Sequence, residues 1–185
     1  MKLNACRIGI LTTDGFDAIA LDAIRDELRL EGAEVRLLSL AERRIKGWSQ
    51  DGWDSDEHVD MVLDEVVRTD FDMLVIPPGL IAVDALKGER FAINFLKRFH
   101  AGGRIVAASG HAPILLSEAG LARGLTATGA KSIRTDLRNA GAFVRENGPR
   151  CDRRIVTAAS NRELPDFVAA MTDQFLAQER QLETV

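Results

Sequence analysis

A short turn at residues 109–111 has the surroundings of a catalytic turn, but its central residue carries no reactive group. Residues 105–108 are apolar and predict a buried strand, and a helix is predicted over 112–118 with Pro113 in its first turn. A strand, a tight turn and a helix make up a nucleophile elbow, which presents one side chain at the mouth of a pocket. The presented position here is Gly110. The pattern therefore predicts the geometry of covalent catalysis without a nucleophile.

The residues beside Gly110 give a second, catalytic hypothesis. His111 is a candidate general base, and Ser109 is a candidate nucleophile. A serine nucleophile needs a base that a third group orients, and Asp14 or Asp17 is the nearest acid in a predicted loop. Ser109 precedes the presented position, so its side chain is expected to point away from the pocket. An enzyme that uses His111 with water or with Ser109 is therefore the alternative hypothesis.

Neither of the two cysteines is expected to replace the missing nucleophile. Cys6 begins a predicted central strand, where a cysteine behaves as a small buried hydrophobe. Cys151 lies in a predicted charged turn at 149–154. Cys151 is therefore expected to be an exposed bystander.

An acidic segment at residues 51–65 partly matches the spacing of a calcium-binding loop. The glycine that such a loop needs at its turn is replaced by Val59. We favour a solvated hairpin instead, because charged residues on an edge discourage pairing with other strands. We therefore predict no metal site, and nothing in the sequence indicates a cofactor.

Composition and charge limit the class of protein. The chain has 185 residues, of which 46% are hydrophobic, and a net charge of −4. The apolar content excludes a disordered chain, and the length fits one domain over residues 1–185. The acidic charge argues against a nucleic-acid partner, and the apolar runs are too short to cross a membrane. With neither a signal peptide nor a disulfide framework, a cytoplasmic protein is expected.

Strand and helix patterns alternate along the chain. Strands are predicted over 6–12, 33–40, 72–76, 105–108, 125–128, 142–144 and 155–158, with a hairpin of strands 46–53 and 58–63 joined by an acidic turn at 54–57. Helices are predicted after an N-cap at Asp17 to residue 31, and around 91–99, 112–118, 132–140 and 164–175. These units predict an α/β fold with a mainly parallel sheet and helices on both faces.

The carboxyl ends of three predicted strands are expected to form the functional crevice. Sheets of this kind bind ligands outside those ends, where residues 14–16, 77–79 and 109–111 would meet. The backbone N–H groups of Gly79 and of the elbow would form an oxyanion hole. The helix after the elbow would add the positive end of its dipole. We therefore expect a pocket that accepts a small anion.

Five segments carry a resemblance to the ThiJ/PfpI family. They are KGW with a further tryptophan at 46–53, VDMVLDE at 59–65, FDMLVIPPG at 71–79, VAASGHAPILL at 106–116 and SIRTDLRNAGA at 132–142. The chain most resembles the PfpI-type branch of intracellular proteases, general stress proteins and deglycases. The resemblance covers essentially the whole chain. It implies a flavodoxin-like three-layer sandwich, a homodimer or larger homo-oligomer, and a pocket built around a cysteine nucleophile.

The chain departs from that family's pattern at the pocket positions. The resemblance implies a cysteine at the elbow, where this chain has Gly110 and keeps the following histidine as His111. It implies an acid that reaches the cysteine, and that position is Ala20. The implied pocket tyrosine and arginine are Ala130 and Ala159. Several separate losses favour a natural member that has lost the family chemistry over a single engineered change.

The sequence therefore favours a non-catalytic, binding or stress-associated member of this family. The pocket is expected to be formed by Asp17, Gly79, Gly110, His111 and Ala130. The alternative, from a different class, is an active hydrolase or a glyoxalase- or deglycase-like enzyme that works through the histidine after the elbow.

Overall fold

The computed structural model describes residues 2–67 and 70–183, and strands and helices alternate along most of it. Its strands are β1 (Arg7–Leu11), β2 (Phe16–Asp17), β3 (Glu34–Ser39), β4 (Arg44–Ser49), β5 (Gly52–His58), β6 (Met61–Val62), β7 (Met73–Ile76), β8 (Ile105–Ser109), β9 (Thr126–Ala127), β10 (Phe143–Val144), β11 (Arg150–Asp152) and β12 (Ile155–Ala158). Its helices are α1 (Ala18–Leu30), α2 (Leu80–Gly88), α3 (Arg90–Ala101), α4 (Ile114–Glu118), α5 (Arg134–Asn139) and α6 (Leu164–Glu183).

A seven-stranded sheet forms the centre of the molecule, in the order β11-β12-β8-β7-β1-β3-β6. Its pairs are parallel except at one edge, where β11 runs antiparallel to β12. This arrangement confirms the predicted mainly parallel sheet. The carboxyl ends of β1, β7, β8 and β12 consequently lie along one edge, where the candidate site is found.

The central strands are buried on both faces. In β7, Met73 and Val75 belong to one apolar cluster, which includes side chains of α1 and α6. Leu74 and Ile76 belong to a second cluster, which includes side chains of α2, α3 and α4. Because alternate residues of a strand point to opposite faces, the sheet has helices on both sides, as predicted. Within the described residues, no helix is long and apolar enough to cross a membrane.

The predicted hairpin exists, but its turn was misplaced. The acidic residues expected to form the turn lie within β5, which pairs with β4 from Arg44↔His58 to Ser49↔Gly52. The turn falls at residues 50–51 because Gly52, at φ +106°, adopts a backbone conformation that side chains disfavour. The predicted strand over 58–63 is reduced to β6, which pairs with β3. No group of side chains in the described ranges is arranged to hold a metal ion.

Two further elements were not predicted. Helix α2 follows directly after the Pro77-Pro78-Gly79 turn, where the sequence analysis expected only a stop. Cys151 lies in β11 rather than in a turn, and it is exposed. The β11–β12 turn is formed by Arg153 and Arg154 at φ +48° and +62°. Arginine is not a residue type that signals such a turn, so this turn could not be predicted from the residue pattern.

Candidate functional site

The loops after β1, β7 and β8 meet at the carboxyl edge of the sheet. The N–H of Asp17 donates to the carbonyl of Pro78 at 2.9 Å. The backbone of Gly79 comes so close to this loop that a Cβ there would lie 2.6 Å from Cα of Phe16. Glycine is required at position 79 for this approach, and its φ of +145° also excludes most side chains. The structure thus brings together the loop residues that the sequence analysis assigned to one crevice.

The turn at Gly110 has the backbone of an elbow. Gly110 adopts φ +63°, in the left-handed region, between the end of β8 and α4. Its N–H donates to the carbonyl of Ala158 at 3.0 Å, and its carbonyl accepts from the N–H of Ala130 at 2.8 Å. The turn is therefore held from two sides by neighbouring backbone.

The ring of Pro78 occupies the space that a side chain at position 110 would need. A Cβ built on Gly110 would lie 2.8 Å from Cβ of Pro78, closer than real Cβ atoms come. The family resemblance implies glycine in the middle of the P-G-G turn, where this chain has Pro78. The departures at 78 and 110 are therefore coupled, because the proline ring fits only while the elbow residue has no side chain.

One backbone donor of the predicted oxyanion hole is already in use. The N–H of Gly110 continues the ladder between β8 and β12 through its bond to Ala158, so it is not free to stabilise an anion. The N–H groups of Gly79 and of His111, the next elbow residue, have no acceptor among the described residues. Helix α4 spans only Ile114–Glu118, so its macrodipole adds little at this edge.

His111 bonds to a partner that the sequence analysis did not identify. Its Nε2 lies 3.0 Å from Oγ of Ser132, in the short helical turn before α5. Burial lowers the pKa of His111 below its usual value, which favours the neutral imidazole at pH 7. Ser109 is 3% exposed, and its Oγ has no hydrogen-bond partner within the described part of the chain. The Ser109–His111 pair considered from the sequence is therefore not formed.

A cleft of about 590 Å³ opens above these loops. Its polar lining includes Asp17, Gln50, His111 and Asn161, and its apolar lining includes Ile19, Trp48, Leu80 and Ile81. Oδ1 of Asp17 caps α1 by accepting from the N–H of Ala20 at 2.9 Å, as predicted. Oδ2 of Asp17 accepts from Nδ2 of Asn161 at 3.1 Å. Among the described lining residues Asp17 is the one carboxylate, and there is no lysine or arginine.

The residues assigned to the pocket divide into two groups. Asp17, Gly79 and His111 line the cleft. Gly110 and Ala130 are not part of the described lining, and they contact each other through the backbone bond described above. The position of the lost acid, Ala20, is 2% exposed and is not part of the described lining.

Asn161 and Ser132 were not predicted as site residues. Asn161 follows the carboxyl end of β12, so its position in the parallel sheet is the signal that would have placed it here. Ser132 gave no such signal, because it reaches His111 from a loop outside the central sheet.

Comparisons with known proteins agree with this fold. A model of the DJ-1/PfpI family matches residues 6–174. Protein/nucleic acid deglycase 2 of Escherichia coli is 32% identical over 163 residues, covering 87% of this chain and 92% of that protein. General stress protein 18 of Bacillus subtilis is 37% identical over 110 residues, covering 59% of this chain and 63% of that protein. A ThiJ/PfpI domain protein from Brachyspira murdochii, 17% identical, superposes with a TM-score of 0.84 over 94% of this chain and 98% of that chain.

The chain is thus an α/β protein with the flavodoxin-like sandwich of this group, as the central sheet and the solved structure show. It belongs to the DJ-1/PfpI family. The resemblance found in its motifs is confirmed, and its relatives include deglycases and a general stress protein.

We predict that Gly110→Ala destabilises the fold by about 1 kcal/mol or more, because it adds a side chain at positive φ and against Pro78. Gly120→Ala is the matched control, since Gly120 has φ +71° but no atom within 4 Å of an added Cβ. Urea denaturation is expected to show the larger loss for Gly110→Ala.

A double-mutant cycle separates the two causes of this loss. In a Pro78→Gly background the added methyl group no longer meets a ring, so Gly110→Ala is expected to cost less than in the parent. A Gly110→Ala protein as stable as its parent, or an equal cost in both backgrounds, would show that the proline does not block this position.

Proposed function

We propose that this protein is a non-catalytic, ligand-binding member of the DJ-1/PfpI family, associated with stress responses. The contact between Pro78 and Gly110 carries the proposal. Covalent catalysis of the kind that the family resemblance implies needs a nucleophile at the elbow, and here the proline ring occupies that space. The cytoplasmic location expected from the sequence is part of this proposal.

The cleft above the elbow has the features of a small-molecule site. Its volume of about 590 Å³ lies within the usual range for such sites, and it combines apolar walls with a few polar groups. Asp17 supplies a carboxylate, while His111 is favoured in its neutral form. The carboxylate and the neutral imidazole favour a ligand in which an amine or an uncharged hydrogen-bond donor is attached to an apolar group. The small anion expected from the sequence remains a competing prediction.

The alternative is an enzyme of the deglycase, glyoxalase or hydrolase class. Two observations support this alternative. Relatives such as protein/nucleic acid deglycase 2 are named as deglycases, and His111 bonds to Ser132. A neutral imidazole beside a hydroxyl can accept a proton from water or from Ser132. The described site has no carboxylate bonded to the other nitrogen of His111, so this pair lacks the orienting group of a triad.

We predict that the purified protein shows no glyoxalase, deglycase or peptidase turnover above a buffer control. Methylglyoxal, a glycated peptide and an unfolded protein are suitable substrates, with His111→Ala and Ser132→Ala assayed in parallel. Turnover in the parent that disappears in both variants would replace the proposal with the enzymatic alternative.

We predict that the cleft binds benzylamine more tightly than benzoate. The two probes share an aromatic body and differ in charge, so calorimetry of each reports the charge that the cleft prefers. Asp17→Asn is expected to abolish the preference, and because asparagine is also a good N-cap it leaves the start of α1 intact. A preference for benzoate would support the small anion instead.

We also propose that two copies associate through the surface around the cleft. Ile19, Leu80 and Trp53 are 70%, 63% and 52% exposed. Trp53 packs edge-on against Trp48 at the tip of the β4–β5 hairpin, with ring centroids 5.3 Å apart. Large exposed apolar side chains grouped on one side of a protein are typical of association surfaces.

We predict that light scattering gives a mass about twice the 20.3 kDa of the chain. Trp53→Ser is expected to shift the equilibrium towards the monomer. Phe143→Ser, which removes another aromatic residue of 62% exposure, is the control. A monomeric parent, or equal effects of the two substitutions, would contradict association through the hairpin.

A further inference from the structure

The exposed face of the β4–β5 hairpin forms a separate, open cleft of about 630 Å³, the hairpin cleft. Its described lining consists of Asp14, Arg44, Lys46, Trp53 and Asp56. Two of these residues come from β4, two come from β5, and Asp14 comes from the loop after β1. None of them is part of the described lining of the cleft at Asp17, so the two sites are distinct.

A β-bulge places Trp53 on the same face as the charged residues. Lys46 pairs with Asp56 across the hairpin, so their side chains share one face of the two strands. The register shifts before the pair Trp48–Trp53, because β5 has one residue more than β4 at this point. In a regular strand, residues three positions apart point to opposite faces, and the extra residue brings Trp53 back to the face of Asp56.

The charged groups of the hairpin cleft are held in defined positions. Nε of Arg44 lies 2.8 Å from Oδ1 of Asp56, and its Nη2 donates to the carbonyl of Asp56 at 2.7 Å. Oδ1 of Asp14 accepts from the N–H of Lys46 at 2.7 Å, and the carbonyl of Lys46 accepts from the N–H of Gly15 at 2.7 Å. The ammonium of Lys46 and the second oxygen of each carboxylate have no partner among the described residues, so they are available to a ligand.

These groups are accessible, and their charges balance. The side chains of Arg44 and Asp56 are 55% and 53% exposed, and Trp53 is 52% exposed. Asp14 and Lys46 are exposed as well. Two carboxylates and two cations leave the described lining without net charge, and no residue of that lining belongs to a helix whose dipole would add to this balance.

We propose that the hairpin cleft binds an uncharged sugar in its pyranose form. A pyranose ring has a face of C–H groups and carries hydroxyl groups around its edge. The indole of Trp53 offers an apolar surface to the C–H face. Lys46 and Arg44 donate to hydroxyl oxygens, and the carboxylates of Asp14 and Asp56 accept from hydroxyl groups. This inference is independent of the ligand proposed for the cleft at Asp17.

Charged ligands fit the hairpin cleft less well. A phosphate or carboxylate group would meet Lys46 but also the carboxylates of Asp14 and Asp56, and an amine would meet both kinds of charge as well. A hydroxyl group both donates and accepts, so it can bond to either kind. The neighbouring donors and acceptors therefore favour an uncharged polyol over an ion.

Tryptophan fluorescence tests this inference, because Trp48 and Trp53 are the two tryptophans of the chain. The methyl glycosides of glucose, galactose and mannose are the probes. At least one of them is expected to change the emission of the unmodified protein and of Trp48→Phe, which keeps Trp53 as its fluorophore. Trp53→Leu keeps Trp48, which lines the cleft at Asp17, and is expected to lose the response.

Substitutions in the Trp48→Phe protein test the polar groups. Lys46→Gln and Asp14→Asn are each expected to weaken binding of the sugar at least threefold. Lys97→Gln and Asp166→Asn are the matched controls, because both residues are exposed but are not part of the described lining. The controls are expected to leave the affinity unchanged.

Charged analogues test the balance of charge. Glucuronate and glucosamine carry a negative and a positive charge on the same type of ring, and neither is expected to bind more tightly than the neutral glycoside. Trp53 also belongs to the association surface proposed above, so the titrations use submicromolar protein, at which a second copy competes least.

Four results would overturn the proposal. They are no response to any of the three glycosides, tighter binding of a charged analogue, an equal loss of affinity in a control variant and its partner, and an undiminished response in Trp53→Leu. The last result would place the sugar in the cleft at Asp17 instead. The titration of the unmodified protein covers the case in which a variant does not fold.

Discussion

Gly110 holds a left-handed turn between β8 and α4 while the ring of Pro78 fills the space beside its Cα. The geometry of the first site depends on this contact. It brings the loop after β7 against the elbow, and the carbonyl of Pro78 in turn accepts from Asp17. The cleft above therefore has a floor of backbone and a proline ring, and its chemistry comes from the side chains around it: Asp17, Asn161 and His111.

Two clefts lie at opposite ends of the same pair of strands and differ in charge. At the carboxyl end of β8 and β12, the N–H of Gly110 bonds to Ala158 near a cleft whose permanent charge is negative. At the amino end, the N–H of Val106 bonds to the carbonyl of Arg154, beside a cleft whose described lining contains arginines and no acidic side chain.

The parts of the fold that depend on local pattern were predictable from the sequence. Asp17 was identified as an N-cap, and the strand that became β12 was placed over the residues that form it. The errors came from conformations that residue types do not signal. Arg153 and Arg154 form a left-handed turn without glycine, and the hairpin turn lies at Gly52 rather than among the acidic residues. The contacts His111–Ser132 and Asp17–Asn161 join residues 21 and 144 positions apart, so no local pattern reveals them.

Survival of the elbow geometry is not by itself evidence of catalysis. In an enzyme, a residue with a side chain in a strained backbone conformation lowers folding stability by about 1–3 kcal/mol. The strain is retained because the reaction needs that side chain. Glycine adopts φ +63° without that cost, and the bonds to Ala158 and Ala130 hold the turn in place. The elbow of this chain is therefore stable as structure alone. Evidence for a reaction must therefore come from side chains such as His111. His111 bonds to Ser132, but no third group in the described site orients the imidazole, so this pair alone does not indicate catalysis.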